Sequence, residues 1–382
     1  MSHAALSVVA EHKMPQLDSL RAFAVLAVLS VHFVSHPPRW LNAVPWAALG
    51  VELFFVLSGF LITGILLDCR EQGATGTSRF WMLRQFYARR FLRIFPVYYA
   101  VVLIGYLINL SGFTETLGWN LAYLTNFYIA TKGAWIGAAS HLWTLSVEEQ
   151  FYLAWPWIVL FVREKYLLST FVGVILFAIG YRIISFDWFG EWINITPFAS
   201  FDCFGAGALL ALAQRRERRG DDRLRRVICL IGLWLGVPLL ILALAWQVPR
   251  QSIPGRLVMI NLATTLLFIP LISGAANSFS GLPGWLLMQR PIRYLGRISY
   301  GIYIFHLPVG WLVGNSHWIN RLPHIIPRSL ILFLVTVLVS ALSWHFFESP
   351  INHLKRLFPY RTSQSRAVRE GFFIEAARKH IP

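Results

Sequence analysis

Apolar residues in this chain run in long blocks rather than at the spacing of a surface helix or a half-buried strand. Ten such blocks fall near 17–36, 46–67, 94–110, 143–162, 167–185, 197–213, 227–246, 257–275, 297–315 and 328–348. Each is close to the length of about 20 residues that carries a helix across a bilayer. The pattern predicts an all-α polytopic integral membrane protein with about ten transmembrane helices. One further block, 117–130, is apolar and aromatic but short for a span. It reads as a re-entrant or interfacial segment, which is tolerated only where protein or water covers its backbone. The organisation expected is a short segment over 1–14, a membrane domain over 15–350 and a basic tail over 351–382. There is no sign of an internal repeat or a second soluble domain.

Composition agrees with lipid as the solvent. Hydrophobic residues make up 56% of the chain and charged ones 14%, against about 25% charged in soluble domains. The 16 Trp, 13 Tyr and 29 Phe suit aromatic belts at two membrane interfaces. A net charge of +16 raises the question of nucleic acid, but the arginines lie between the apolar blocks. With the N-terminus cytoplasmic, the outer side holds only Arg39, Lys132, Arg182, Arg250, Arg256, Arg321 and Arg328. The other basic residues except Arg21 then face inward, as the positive-inside rule requires. Both termini are therefore expected in the cytoplasm and the protein in a bacterial inner membrane, with the bilayer rather than nucleic acid as its partner. The first block carries Arg21 and His32 and reads as a retained span, not a cleaved signal. Cys69, Cys203 and Cys229 have no metal or redox spacing, and no metal is expected.

Ionisable groups inside spans are costly and point to function. Arg21 and His32 are eleven residues apart, which places them on one helical face about 16 Å apart along the axis. Arg21 lies toward the cytoplasm and His32 toward the outside. Glu52, Glu148, Glu149 and Asp202 are expected at roughly the depth of His32, where a carboxylate could hold the imidazole as a general base. Arg90 and Arg93 enter the third span at the depth of Arg21, and arginine forks suit phosphate. Basic groups inside and a histidine with acids outside suggest a phosphorylated donor arriving from the cytoplasm. His306 falls mid-membrane, where a structural hydrogen bond and a part in the chemistry are both open. His141 reads as a loop histidine, and His345 with Glu348 as an inner packing pair.

At these residues the chain resembles the acyltransferase 3 family of membrane acyltransferases. The strings are Leu17-Asp-Ser-Leu-Arg21 running to His32, Gly50-Val-Glu through Thr63, Arg90-Phe-Leu-Arg93 with Pro96, and His141-Leu-Trp through Tyr152. Gly296 to His306 and Glu348-Ser-Pro350 complete the set, in order, over roughly residues 15–350. The resemblance implies an acyl-CoA donor, usually acetyl-CoA, and transfer to hydroxyls of saccharides or glycosylated acceptors. It also implies that Arg21 and His32 are essential and that Arg90, Arg93, Ser146, Glu148 and Tyr152 matter. Family members often have Gly where Ser19 and Ala22 stand, a change expected to affect helix packing only. Some carry an extracytoplasmic SGNH-type hydrolase domain, which is not expected here, so transfer is expected to be completed alone or with a biosynthetic partner or homo-oligomer.

The expected mechanism has Arg21, Arg90 and Arg93 on the coenzyme A phosphates and His32 as the base at the thioester. Glu148 would orient His32, and Ser146 or Tyr152 would donate to the oxyanion. Glu52, Glu149, Asp202 and His306 would line the acceptor side. Direct transfer and an acyl-histidine intermediate both fit these residues. The competing class is a transporter or channel using the buried charges as a solute path, though no inverted repeat supports it.

Overall fold

The computed structural model describes residues 14–34, 44–73, 76–245, 254–316 and 327–360. The expected N-terminal segment up to residue 13 and the tail beyond Tyr360 lie outside these residues. Among the described residues there is no strand, and ten helices have sixteen residues or more. They are α1 (Pro15–Phe33), α2 (Trp46–Gly73), α3 (Arg79–Leu107), α6 (Leu142–Phe161), α7 (Glu164–Phe189), α8 (Phe201–Arg218), α9 (Arg223–Ala245), α10 (Pro254–Ala276), α13 (Ser299–Gly314) and α14 (Arg328–Ser343). Short helices α4 (Leu117–Leu121), α5 (Thr125–Lys132), α11 (Gly281–Leu287), α12 (Arg290–Arg297) and α15 (Ser349–His353) lie between or after them. In hydrocarbon every backbone polar group must be satisfied within its own segment, which is why apolar blocks become helices.

Seven of the ten are long and apolar enough to cross a membrane by length and composition. The other three, α6, α8 and α13, hold the buried polar residues Ser146, Asp202 and His306. Helix α8 is buried on every side from Asp202 to Ala213. Its Phe204-Gly-Ala-Gly-Ala run suits that position, because small residues let backbones approach. A side chain at Gly59 of α2 would strike the carbonyl of Phe204, and one at Gly207 would strike the backbone of Val56 and Phe60. Helices α2 and α8 therefore cross backbone to backbone at the centre of the bundle.

The third helix departs from its expected span. It starts at Arg79 rather than near residue 94, because a helix keeps its own hydrogen bonds after the apolar block ends, so polar Arg-rich sequence extends it. The 117–130 block forms two short helices rather than one. They break at Tyr123, whose φ of 53° is uncommon for a bulky residue. The Tyr98 hydroxyl donates to the Asn120 carbonyl at 2.8 Å, and Gln150 Nε2 donates to the Tyr123 carbonyl at 2.8 Å. Protein thus covers the broken backbone, as a non-spanning segment requires.

Candidate active site

Helix α1 runs unbroken from Pro15 to Phe33 and carries Arg21 and His32 at opposite ends of one face. Around each of them the bundle gathers a separate polar cluster.

At the C-terminal end of α1 His32 is exposed. Its Nδ1 lies 2.9 Å from the Val28 carbonyl. A carbonyl only accepts, so in the neutral ring Nδ1 carries the proton and Nε2 is left as a base. The His32 ring meets that of His306 at 5.0 Å between centroids and 62°. His306 meets His141 at the same distance and 73°. Both partners are buried. His306 Nδ1 donates to the Tyr303 carbonyl at 2.5 Å, and His141 Nε2 donates to the Ile304 carbonyl at 2.9 Å. The remaining nitrogen of each ring is buried without a hydrogen-bond partner. His141, read from sequence as a loop residue, is thus the buried end of a row of three imidazoles.

None of the four expected acids hydrogen-bonds to His32. Glu148 Oε1 accepts from Ser58 Oγ at 2.8 Å, and the Tyr152 hydroxyl donates to the same Ser58 Oγ at 3.0 Å. Glu148, expected to orient His32, is hydrogen-bonded to Ser58 instead, and the groups that contact the His32 ring are Val28 and His306. Ser146 Oγ returns its proton to the Leu142 carbonyl one turn back, at 3.0 Å. Glu52 accepts from Thr264 Oγ1. Asp202 forms a two-pronged ion pair with Arg182, at 2.5 and 2.9 Å, and both side chains are buried. Glu149 is a neighbour of Glu148 and Arg90, and its Oε1 is buried without a hydrogen-bond partner. Equal depth in a bilayer does not imply lateral proximity: a buried carboxylate needs a partner, and Glu148, Glu52 and Asp202 each find one on a neighbouring helix.

Near the Arg21 end of α1, Arg93 of α3 lies within electrostatic reach of Arg21. The Arg90 guanidinium lies 5.2 Å over the Tyr152 ring and 5.7 Å over that of Phe86. Arg21 and Arg90 both act electrostatically on Arg93 and on Glu148. Arg21 is paired with Asp18 at 3.1 Å. Glu348 adds its charge near Arg93 and accepts from Ser343 Oγ at 3.0 Å. It does not pair with His345, which bonds the Tyr294 hydroxyl at 3.1 Å. Both residues lie in a π turn over Trp344–Glu348. Arg21 lines an open cavity of about 530 Å³ together with Asp18, Leu61, Arg293 and Arg297.

Sequence reasoning left Ser58, His141, Arg293 and Arg297 without roles. Ser58 sits within the Gly50–Thr63 string that was quoted whole. Arg290, Arg293 and Arg297 are spaced to share a helix face, a signal absorbed into the loop charge. Among the described residues no group of three or more His, Cys, Asp and Glu side chains is arranged to hold a metal ion.

A family model described as an acyltransferase domain matches residues 14–345, which takes in both clusters. The chain belongs to this acyltransferase 3 family. It is 29% identical over 372 residues to the peptidoglycan O-acetyltransferase OatA of Listeria monocytogenes, covering 88% of this chain and 56% of that protein. It is 29% identical over 370 residues to the putative peptidoglycan O-acetyltransferase YrhL of Bacillus subtilis, covering 88% and 55%. It is 25% identical over 363 residues to the O-acetyltransferase OatA of Staphylococcus aureus, covering 88% and 57%. The chain thus spans about half the length of the curated relatives it matches. No solved structure matches it.

Proposed function

We propose that this protein moves an acetyl group from acetyl-CoA on the cytoplasmic side to a hydroxyl of a cell-wall saccharide on the outer side. The relatives' names make peptidoglycan the first acceptor to try. The observation that carries the reading is helix α1 itself, with the arginine cluster at one end and an exposed imidazole at the other.

Arg21, Arg90 and Arg93 hold the phosphates of the donor, and its pantetheine arm lies along α1 with the thioester near His32. His32 Nε2 takes the proton of the acceptor hydroxyl as its oxygen attacks the thioester carbonyl. When the tetrahedral adduct collapses, the carbon–sulfur bond breaks and the imidazolium returns its proton to the leaving thiolate. General-base help of this kind contributes about 10²–10⁴ in rate. Glu148, Ser58 and Tyr152 form the wall that holds Arg90. The inner membrane and cytoplasmic termini follow from the distribution of basic residues.

The test uses purified protein in proteoliposomes with acetyl-labelled acetyl-CoA and soluble peptidoglycan fragments. Label should pass into alkali-labile ester, with coenzyme A released only when acceptor is present. His32→Ala should abolish transfer while inserting normally. Solute flux without consumption of acetyl-CoA would replace this reading with a transporter.

A further inference from the structure

A second group of arginines stands at the inner end of α1, apart from Arg90 and Arg93. Arg293 and Arg297 share the cavity that Arg21 lines, and Arg290 joins them around an adjoining recess with Tyr294. Their spacing of three and four residues puts all three on one face of α12. A neighbouring face of α12 is held against α1 tightly, because a side chain at Gly296 would run into the Asp18 carbonyl. Among the described residues Asp18 is the only acid lining the cavity, and Arg21 already pairs with it. Among the described residues the side chains of Arg293 and Arg297 have no hydrogen bond or ion pair. The Nε of Arg293 is buried without a partner. Like charges gathered in a recess repel one another when no anion is present. Positive-inside anchoring explains arginines spread along a membrane surface. Arg290 and Arg297 are exposed and Arg293 is half-buried, and Arg293 and Arg297 line the same open cavity as Arg21 of the helix that carries His32.

We infer that this recess binds a phosphate monoester, the 3′-phosphate of the donor, while Arg21, Arg90 and Arg93 take its diphosphate. The inference rests on acyl-CoA being the donor. That molecule carries its two phosphate groups on separate positions of one ribose, and the protein presents two arginine groups with Arg21 between them. The cavity volume of about 530 Å³ lies in the range of small-molecule sites, and guanidinium forks match phosphate oxygens. The phosphodiester headgroup of an anionic lipid also offers phosphate oxygens to guanidinium forks.

The experiment measures binding of coenzyme A and of 3′-dephospho-coenzyme A to the full chain in phosphatidylcholine nanodiscs by titration calorimetry. Wild-type protein should favour coenzyme A by about tenfold, the worth of one charge-assisted contact. An R293Q/R297Q double variant should bind both ligands as weakly as wild type binds the dephospho form. The R293K/R297K pair should regain part of the preference, which separates lost charge from a misfolded chain. R93Q should weaken both ligands alike. Wild-type protein that binds neither ligand overturns the donor reading itself. Wild-type protein that binds both equally, or a double variant that keeps the preference, overturns only the assignment of this recess. Adding phosphatidylglycerol to the discs separates the two phosphate sources. A preference that vanishes there while the diphosphate contact persists gives the recess to a lipid headgroup and overturns the assignment.

Discussion

The rings of His32 and His306 meet edge to face with their centroids 5.0 Å apart. One ring is exposed at the end of α1 and the other is buried within α13. The buried ring is itself anchored, by its bond to the Tyr303 carbonyl and by the His141 ring behind it. The contact therefore sets the plane of His32, and with it the direction of Nε2.

His306 should act as a positioning residue. A displacement of about 1 Å in a reacting group can cost about 10²-fold in rate, so His306→Ala should lower kcat by about that factor. KM for acetyl-CoA should stay unchanged, because the arginine cluster is at the other end of α1. His306→Phe keeps a ring at the same place and should recover part of the loss. Combined with His32→Ala, neither change should reduce activity further. A higher donor KM with unchanged kcat in His306→Ala would refute the positioning role.

Much of the architecture was legible because the bilayer imposes it: blocks of about 20 apolar residues leave few choices besides helices. The nearness of Arg21, Arg90 and Arg93 was expected from their similar distance along the apolar blocks, and Arg21 and Arg90 both lie within electrostatic reach of Arg93. What periodicity could not convey is which helix faces which. Glu52, Glu148, Glu149 and Asp202 looked equivalent by depth. Their neighbours, Thr264, Ser58, Arg90 and Arg182, come largely from other helices, so the pairing depends on how the bundle is assembled. His141 was hidden for the same reason. Nothing local marks a residue just before a helix as buried until α13 is placed against it.

Tyr152 offers a test of two roles. From sequence it is an oxyanion donor, yet its hydroxyl bonds Ser58 and its ring lies under Arg90. If it supports Arg90, Tyr152→Phe keeps the ring and should leave kcat close to wild type. Tyr152→Ala removes the ring face, worth about 0.5–2 kcal/mol, so donor KM should rise by about two- to thirtyfold. Steady-state kinetics with varied acetyl-CoA would read both. A loss of kcat of about 10²-fold in Tyr152→Phe would instead restore the oxyanion role.

The crossing of α2 and α8 should tolerate no added carbon. Gly59→Ala would place its methyl group against the Phe204 backbone, which cannot swing aside as a side chain does. Overpacking in a close-packed interior costs about 1–3 kcal/mol or more. The variant should therefore show a lower unfolding temperature in detergent, or reduced recovery from membranes. Gly64→Ala on the same helix has open space at that position and should behave as wild type. Equal thermal stability of the two variants would mean that the helices are not in backbone contact.

Asp202 and Arg182 make the sharpest contrast between a structural and a catalytic acid. Their charges are buried and paired, with the second Arg182 amino group also donating to the Ala199 carbonyl. Removing one partner leaves the other uncompensated, which costs about 3–5 kcal/mol, whereas replacing both by apolar residues of similar size is often neutral. Asp202→Ala should accordingly unfold at lower temperature than wild type, and an R182M/D202L double variant should regain much of that loss. If Asp202 touches the acceptor, the double variant would be stable yet inactive. If it only ties α7 to α8, restored stability should bring transfer activity back with it. Thermal unfolding and ester formation measured on the same preparations separate the two, and a stable double variant without activity would return Asp202 to the acceptor side.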